Sequence, residues 1–306
     1  METFEFLASD GHKVHCYRWL PGSGVRGVIH LAHGMGEHAG RYDWVAQQLN
    51  AAGFAVYADD HRGHGKTADT LGDFGPDGWN RALRDLKELI HTLRTNYPSV
   101  PVVLMGHSMG AMLTQQYIEL YGDTLDAAVI SGSPGFASPF FGWLVTQICR
   151  FEAWRLGPLR ESALLQNLIF GSANKDFEAG TESPTGFEWL SRDQAEVTKY
   201  AEDPLCGFVP FPASLKDIFT GARWTQKVTS VAQIPTNLPL YLFSGTADPV
   251  HNQMKDLQRL LDRYRSAGLQ VDTAFYEGGR HEMLNETNRN EVTEALISWL
   301  QTTLKV

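Results

Sequence analysis

At 306 residues the chain is long enough for one large domain or for a domain carrying an insertion, with a substantial buried core. A formal net charge of −9 with no block of lysines or arginines argues against a nucleic-acid partner and against strong attraction to an anionic membrane. The 3 cysteines, Cys16, Cys149 and Cys206, are far apart and odd in number, which fits neither a disulfide framework nor a zinc knuckle. They read as reduced thiols. Glu2, Glu5 and Asp10 stand where a signal peptide would need positive charge and an apolar core, so the expected location is cytoplasmic. No run approaches the roughly 18 uninterrupted apolar residues of a membrane span.

In chain order, residues 2–8 and 13–20 cluster apolar side chains around Ser9-Asp10-Gly11-His12, as an antiparallel edge hairpin does. A third strand is expected from Val25 to Leu31, followed by Ala32-His33-Gly34-Met35-Gly36-Glu37-His38 and a helix through Tyr42, Val45 and Leu49. Phe54 to Ala58 reads as a fourth strand. Leu83, Leu86, Ile90 and Leu93 mark an amphipathic helix that stops before Pro98. Further strands are expected at Val102–Met105, Ala127–Ser131, Leu238–Ser244 and Val271–Tyr276. Helices carrying Met254, Leu257, Leu261 and Tyr264, and Val292, Leu296, Trp299 and Leu300, follow the last two. This alternation predicts an α/β fold with a doubly wound, mostly parallel sheet. From about Phe136 to Val228 the chain turns aromatic and proline-bearing, with no strand to extend the sheet. A stretch of that length needs helices of its own. The expected organisation is a core of residues 1–135 and 229–306 with a helical cap at 136–228.

The chemistry centres on Val102 to Leu113, where an aliphatic strand ends in Gly106-His107-Ser108-Met109-Gly110 and runs straight into a helix. Lifting a serine hydroxyl clear of so sharp a turn needs neighbours without bulk, which Gly106 and Gly110 supply. Ser108 is therefore the candidate nucleophile. A serine hydroxyl attacks only if a base takes its proton, and the base needs a carboxylate to set its tautomer. After Ala127–Ser131 no acid appears until Glu152, whereas the next strand ends in Thr246-Ala247-Asp248-Pro249 and the last in Gly278-Gly279-Arg280-His281. Asp248 is the candidate acid and His281 the candidate base. Two backbone N–H groups should face the developing oxyanion: that of Met109, just after the serine, and that of Met35 in its glycine-flanked loop.

The other histidines read as structural. His107 is expected across the turn from Ser108, His251 at the surface at a helix start, and His33, His61 and His64 in loops that they order by hydrogen bonds. No metal-binding spacing is present, and the chemistry calls for no cofactor.

His33-Gly34-Met35-Gly36-Glu37-His38 with Arg41-Tyr42, Asp60-His61-Arg62-Gly63-His64-Gly65, Gly106-His107-Ser108-Met109-Gly110, Gly245-Thr246-Ala247-Asp248 and Gly279-Arg280-His281-Glu282 together resemble the monoacylglycerol lipase and lysophospholipase branch of the α/β hydrolases. The resemblance runs in order from about residue 5 to the C-terminus. It implies an α/β-hydrolase fold and a serine hydrolase acting on single-chain acyl esters beneath a helical cap. It also implies Ser108, Asp248 and His281 as triad and Met35 and Met109 as oxyanion donors. Trp189-Leu190-Ser191-Arg192-Asp193 and Asp203-Pro204-Leu205-Cys206 look like bacterial members, while Ala111 stands where a third glycine is commoner.

The expected activity is hydrolysis of a monoacyl lipid ester, a lysophospholipid or a monoacylglycerol. A small-ester carboxylesterase or thioesterase would use the same triad, and a non-catalytic ligand receptor is the reading from a different class. Serine at position 108 argues against a dehalogenase or epoxide hydrolase, which would need aspartate there. Within the cap, Phe140, Phe141, Trp143 and Leu144 belong to a helix that is apolar on nearly every side. Two readings stay open: burial between core and cap, or one side lining an acyl tunnel, as substrate-binding residues, while another touches membrane or micelle.

Overall fold

The computed structural model describes residues 1–171, 173–178 and 184–306. Eight strands form a single sheet: β1 (Glu2–Leu7), β2 (Lys13–Trp19), β3 (Gly27–Ala32), β4 (Phe54–Asp59), β5 (Val102–His107), β6 (Ala127–Ser131), β7 (Leu240–Gly245) and β8 (Val271–Tyr276). Their order is β1-β2-β4-β3-β5-β6-β7-β8. The β1–β2 hairpin is antiparallel, β2 meets β4 antiparallel, and every later pairing is parallel. In a parallel sheet covered on both faces, the central strands become continuous apolar runs. Here β3, β5, β6 and β7 are buried at every position, whereas β8, at the edge, is exposed at several.

The helices are α1 (Asp43–Ala51), α2 (Gly78–Asn96), α3 (Met109–Tyr121), α4 (Pro139–Leu156), α5 (Ala163–Gln166), α6 (Gln194–Glu202), α7 (Pro212–Thr225), α8 (Val228–Val231), α9 (Lys255–Ser266) and α10 (Arg289–Leu304). Successive strand residues face opposite sides of a sheet. In β5, Val102 and Leu104 join a cluster with Leu86, Ile90, Tyr117 and Leu261 of α2, α3 and α9. Val103 and Met105 join a second one with Val45, Leu49, Leu296 and Leu300 of α1 and α10. The sheet is thus wound on both faces, as the alternation predicts. β7 begins after Pro239, whose missing N–H cannot enter the ladder.

Between β6 and β7, α4 to α8 contain no strand among the described residues. Here α4 packs on α7, and α7 rests on α3 and α2. Neither expectation for α4 holds along its whole circumference. Val145, Thr146, Cys149 and Glu152 point inward. Phe140, Phe141, Trp143 and Leu144 are 67%, 50%, 45% and 39% exposed, and Trp154 is 80% exposed. One helix cannot bury every face against one neighbour, so its remaining aromatics form an apolar outer surface.

Candidate active site

The carboxyl ends of β3, β5, β7 and β8 meet at one edge of the sheet, where ligands of open α/β folds gather. At the end of β5 the backbone turns directly into α3, leaving Ser108 at φ 53° and ψ −112°, a strained conformation for a residue with a side chain. A methyl group at Gly106 would lie 2.1 Å from the Gly110 carbonyl oxygen, and one at Gly110 would lie 2.0 Å from that of Ala32. Glycine is obligatory at both places.

His281 Nδ1–H donates to Asp248 Oδ2 at 2.8 Å, and both residues are buried. The acid's other oxygen accepts the Val250 N–H at 3.0 Å, which fixes the carboxylate at the start of the turn after β7. Burial opposes ionisation of Asp248, but the charge and hydrogen bond of His281 prevail, and its pKa falls below the ordinary aspartate range. For His281, burial disfavours the imidazolium, yet Asp248, with Glu282 and Glu37 behind it, raises the pKa above the ordinary histidine value. His281 and Ser108 line one cavity with Gly34, Met35, Glu37 and His107. They do not hydrogen-bond to each other, a contact that often tightens only around substrate.

The loop after β3 comes close enough to the elbow that a methyl group at Gly34 would lie 3.2 Å from Ser108 Cβ. Glu37 Oε1 accepts the Gly34 N–H at 2.6 Å and the Tyr42 hydroxyl at 2.8 Å. Arg41 spans from Glu37 to Glu282, with both of its terminal nitrogens 2.7 Å from the Glu282 carboxylate. The residue after the histidine is thereby tied to the loop that carries Met35. The sequence assigns Glu37, Arg41 and Glu282 no role beyond their place in motifs. The signal was their spacing: Glu37 four residues before Arg41, and Glu282 directly after His281.

The loop histidines do order the backbone. His33 donates through Nδ1 to the Gly34 carbonyl at 2.7 Å and accepts the His61 N–H at Nε2; His64 Nε2 accepts the Gly36 N–H at 3.2 Å. Burial, followed by the neighbouring imidazoles, keeps both neutral, with His64 lowered to about 3. Two expectations need correction. His251 is fully buried rather than at the surface, because the turn after Asp248 brings its ring against the end of β7, where Nε2 bonds the Gly245 carbonyl and Nδ1 accepts the Met254 N–H. His107 does not sit apart across the turn: its ring centroid lies 4.8 Å from that of His281. Burial and then His281 lower its pKa to about 4, and Nδ1 meets Ser131 Oγ, not a carboxylate.

Ile169, Trp189, Leu190 and Tyr200, from the segment between β6 and β7, complete the cavity lining with Val250. Phe140, Phe141, Trp143 and Leu144 do not reach it; they lie on the outer face of α4. The Trp189 ring lies over His281 at 4.9 Å, and Glu282 N–H donates to the Leu190 carbonyl at 2.7 Å. These contacts are long-range in sequence, so no local pattern announces them. The cavity measures about 80 Å³. Among the described residues, His38, Asp203 and Cys206 are near enough to share a metal ion. His38 Nε2 bonds Asp203 Oδ2 at 2.9 Å, linking the two sides of the site.

Comparison with known proteins agrees with this architecture. The family described as serine aminopeptidase, S33, matches residues 23–288. A monoacylglycerol lipase of Mycolicibacterium smegmatis is 31% identical, over 92% of this chain and 90% of its own. A monoglyceride lipase homolog of Monkeypox virus is 27% identical over 98% of both chains. The solved structure of a highly thermostable carboxyl esterase from Bacillus coagulans, in complex with glycerol, has a TM-score of 0.90 at 27% identity, covering 99% of this chain and 98% of that one. With the strained elbow and the sheet order already in hand, the match over most of the chain makes this protein an α/β hydrolase of the serine aminopeptidase S33 family.

Proposed function

We propose that the protein is a serine carboxylic-ester hydrolase that cleaves monoacyl lipid esters, with Ser108 as nucleophile, His281 as base and Asp248 as its orienting acid. The observation that carries the reading is the buried Asp248–His281 hydrogen bond, 2.8 Å long, facing the same cavity as a serine held at φ 53°. His281 Nε2 takes the hydroxyl proton as Ser108 Oγ attacks the acyl carbonyl. The oxyanion is received by the N–H groups of Met35 and Met109, beside the N-terminus of α3. His281 then returns the proton to the leaving alcohol. Water, deprotonated by the same imidazole, releases the acid from the acyl-enzyme. Residues 1–135 and 229–306 form the hydrolase core and 136–228 the cap.

The monoacyl substrate class rests on the relatives named above as monoacylglycerol and monoglyceride lipases. The exposed aromatics of α4 support a second part of the reading, that this outer face inserts into a lipid or micelle surface. With a net charge of −9, such docking is apolar rather than electrostatic. One observation favours a small-ester carboxylesterase instead. A cavity of about 80 Å³ is well below the roughly 300–1,000 Å³ of sites that enclose a drug-sized ligand. An acyl chain therefore requires the cap to move. The test is covalent labelling by a fluorophosphonate, followed by kcat/KM over monoacyl esters of increasing chain length below their critical micelle concentrations. Labelling lost in Ser108→Ala, with octanoyl esters preferred over acetyl, is the expected result. A preference for acetyl esters removes the lipid reading, and absence of labelling removes the hydrolase reading.

A further inference from the structure

An N–H group stabilises a developing oxyanion only if its direction is set before the charge forms. The proposed donor at Met35 is flanked by Gly34 and Gly36, the residues least able to hold a direction by themselves. Hydrogen bonds on either side must hold it. On the Gly34 side all the restraints come from the core: the Gly34 N–H is held by Glu37 and its carbonyl by His33. On the Gly36 side the restraints are divided. Its N–H goes to His64 of the core, but its carbonyl accepts two bonds from the segment between β6 and β7, from the Tyr200 hydroxyl at 2.7 Å and from the Gly207 N–H at 2.9 Å. Gly36 has φ +71°, and a methyl group there would lie 2.9 Å from the Phe208 carbonyl oxygen, so this contact leaves no room for any other residue.

Tyr200 is well placed to carry such a load. Its ring is buried, with the Arg41 guanidinium over one face at 4.7 Å and Phe187 edge-on at 4.9 Å. Arg41 is the residue that joins Glu37 to Glu282. Tyr200 also lines the small cavity that an acyl chain must widen. A displacement of the segment that carries it therefore also strips the Gly36 carbonyl of its partners. We propose that Tyr200 is a positioning residue, whose hydroxyl completes the restraint of the Met35 donor from the Gly36 side while the cap is seated, so that oxyanion stabilisation is strengthened by closure over the ester. The inference rests on the hydrolase reading and its assignment of Met35.

Tyr200→Phe keeps the ring and removes only the bond to Gly36. Loss of an oxyanion donor costs about 10²–10³ in kcat, and misdirecting one through a neighbour should cost less, on the order of tenfold. The expected result is that fall in kcat with KM within about twofold. Affinity for a trifluoromethyl ketone, which forms a tetrahedral adduct with an oxyanion, should drop in parallel, while that for a non-hydrolysable ether analogue stays the same. In the unaltered enzyme, forming the ketone adduct should slow hydrogen exchange at the Gly207 amide, the other donor to the Gly36 carbonyl. Unchanged kcat and ketone affinity, a loss confined to KM and shared by the ether analogue, or unaltered Gly207 exchange would each overturn the proposal. An unaltered enzyme that neither cleaves esters nor binds the ketone refutes the hydrolase reading itself, before Tyr200 is tested.

Discussion

The carboxyl edge of the sheet and helix α4 are both rich in large side chains, yet they pack by opposite rules. At the edge, Asp248 and His281 are buried, and glycines at 106 and 110 are compelled by backbone atoms about 2 Å from where a side chain would begin. On α4, Phe140, Phe141 and Trp154 are at least half exposed, and only one stripe meets α7. The first region is over-determined by close packing, so small changes should be felt as chemistry. The second is held along one face, so its outer residues are free to serve an interface without disturbing the catalytic geometry.

The sharpest way to break that contrast is mutation at the edge. Ser108→Ala should lower turnover by several orders of magnitude with little change in melting temperature, and Asp248→Asn by about 10⁴, as in other serine triads. Glu152→Gln provides the control in α4. Glu152 accepts Arg155 and Ser162, and none of the three lines the cavity, so kcat should stay within about twofold while thermal stability falls modestly. A dispensable Asp248 beside an indispensable Glu152, in steady-state assays of the purified variants, would invert the assignment.

Next in size is the pH dependence. Because Asp248, Glu282 and Glu37 raise the His281 pKa despite its burial, the neutral base is lost at a higher pH than for an ordinary histidine. The acid limb of kcat/KM should lie above about 6.5, falling tenfold per unit below it. His33 and His64, whose pKa values burial lowers, add no charge of their own to the loop that carries Met35 over that range. A limb below 6 in the pH–rate profile would contradict the pairing.

The prediction for α4 is smaller. Trp143→Asp, on the outer face of α4, should weaken partition onto uncharged phosphatidylcholine vesicles about tenfold and leave hydrolysis of soluble acetyl esters within twofold. Equal loss of both activities would place Trp143 in the catalytic machinery after all.

The last effect is on stability rather than on activity and concerns α3, which carries the elbow at one end and a misfit at the other. Burial raises the Glu119 pKa to about 9, and neither of its carboxylate oxygens has a partner among the described residues. A carboxyl raised in the folded state binds its proton more tightly there, so stability declines as pH rises from the unfolded value near 4.5 toward 9. The slope is about 1.4 kcal/mol per pH unit. Glu119→Gln should therefore raise the melting temperature at pH 8 more than at pH 5. The same gain at both would mean that Glu119 is not held neutral.

The sequence by itself determined the sheet, its winding and the residues proposed as nucleophile, acid and base. Strand and helix periodicity, Gly106 and Gly110 around Ser108, and single acidic and histidine candidates after β7 and β8 are local features, set by sterics within a few residues. Only the tertiary structure decided what surrounds them. Trp189 and Tyr200 reach the cavity, and Arg41 reaches Glu282, across gaps of tens to hundreds of residues that no periodicity records. His251 and α4 show the same limit from the other side. Whether an imidazole or an aromatic helix face is buried depends on which distant element covers it, and a side chain compatible with either environment carries no mark of which it will meet.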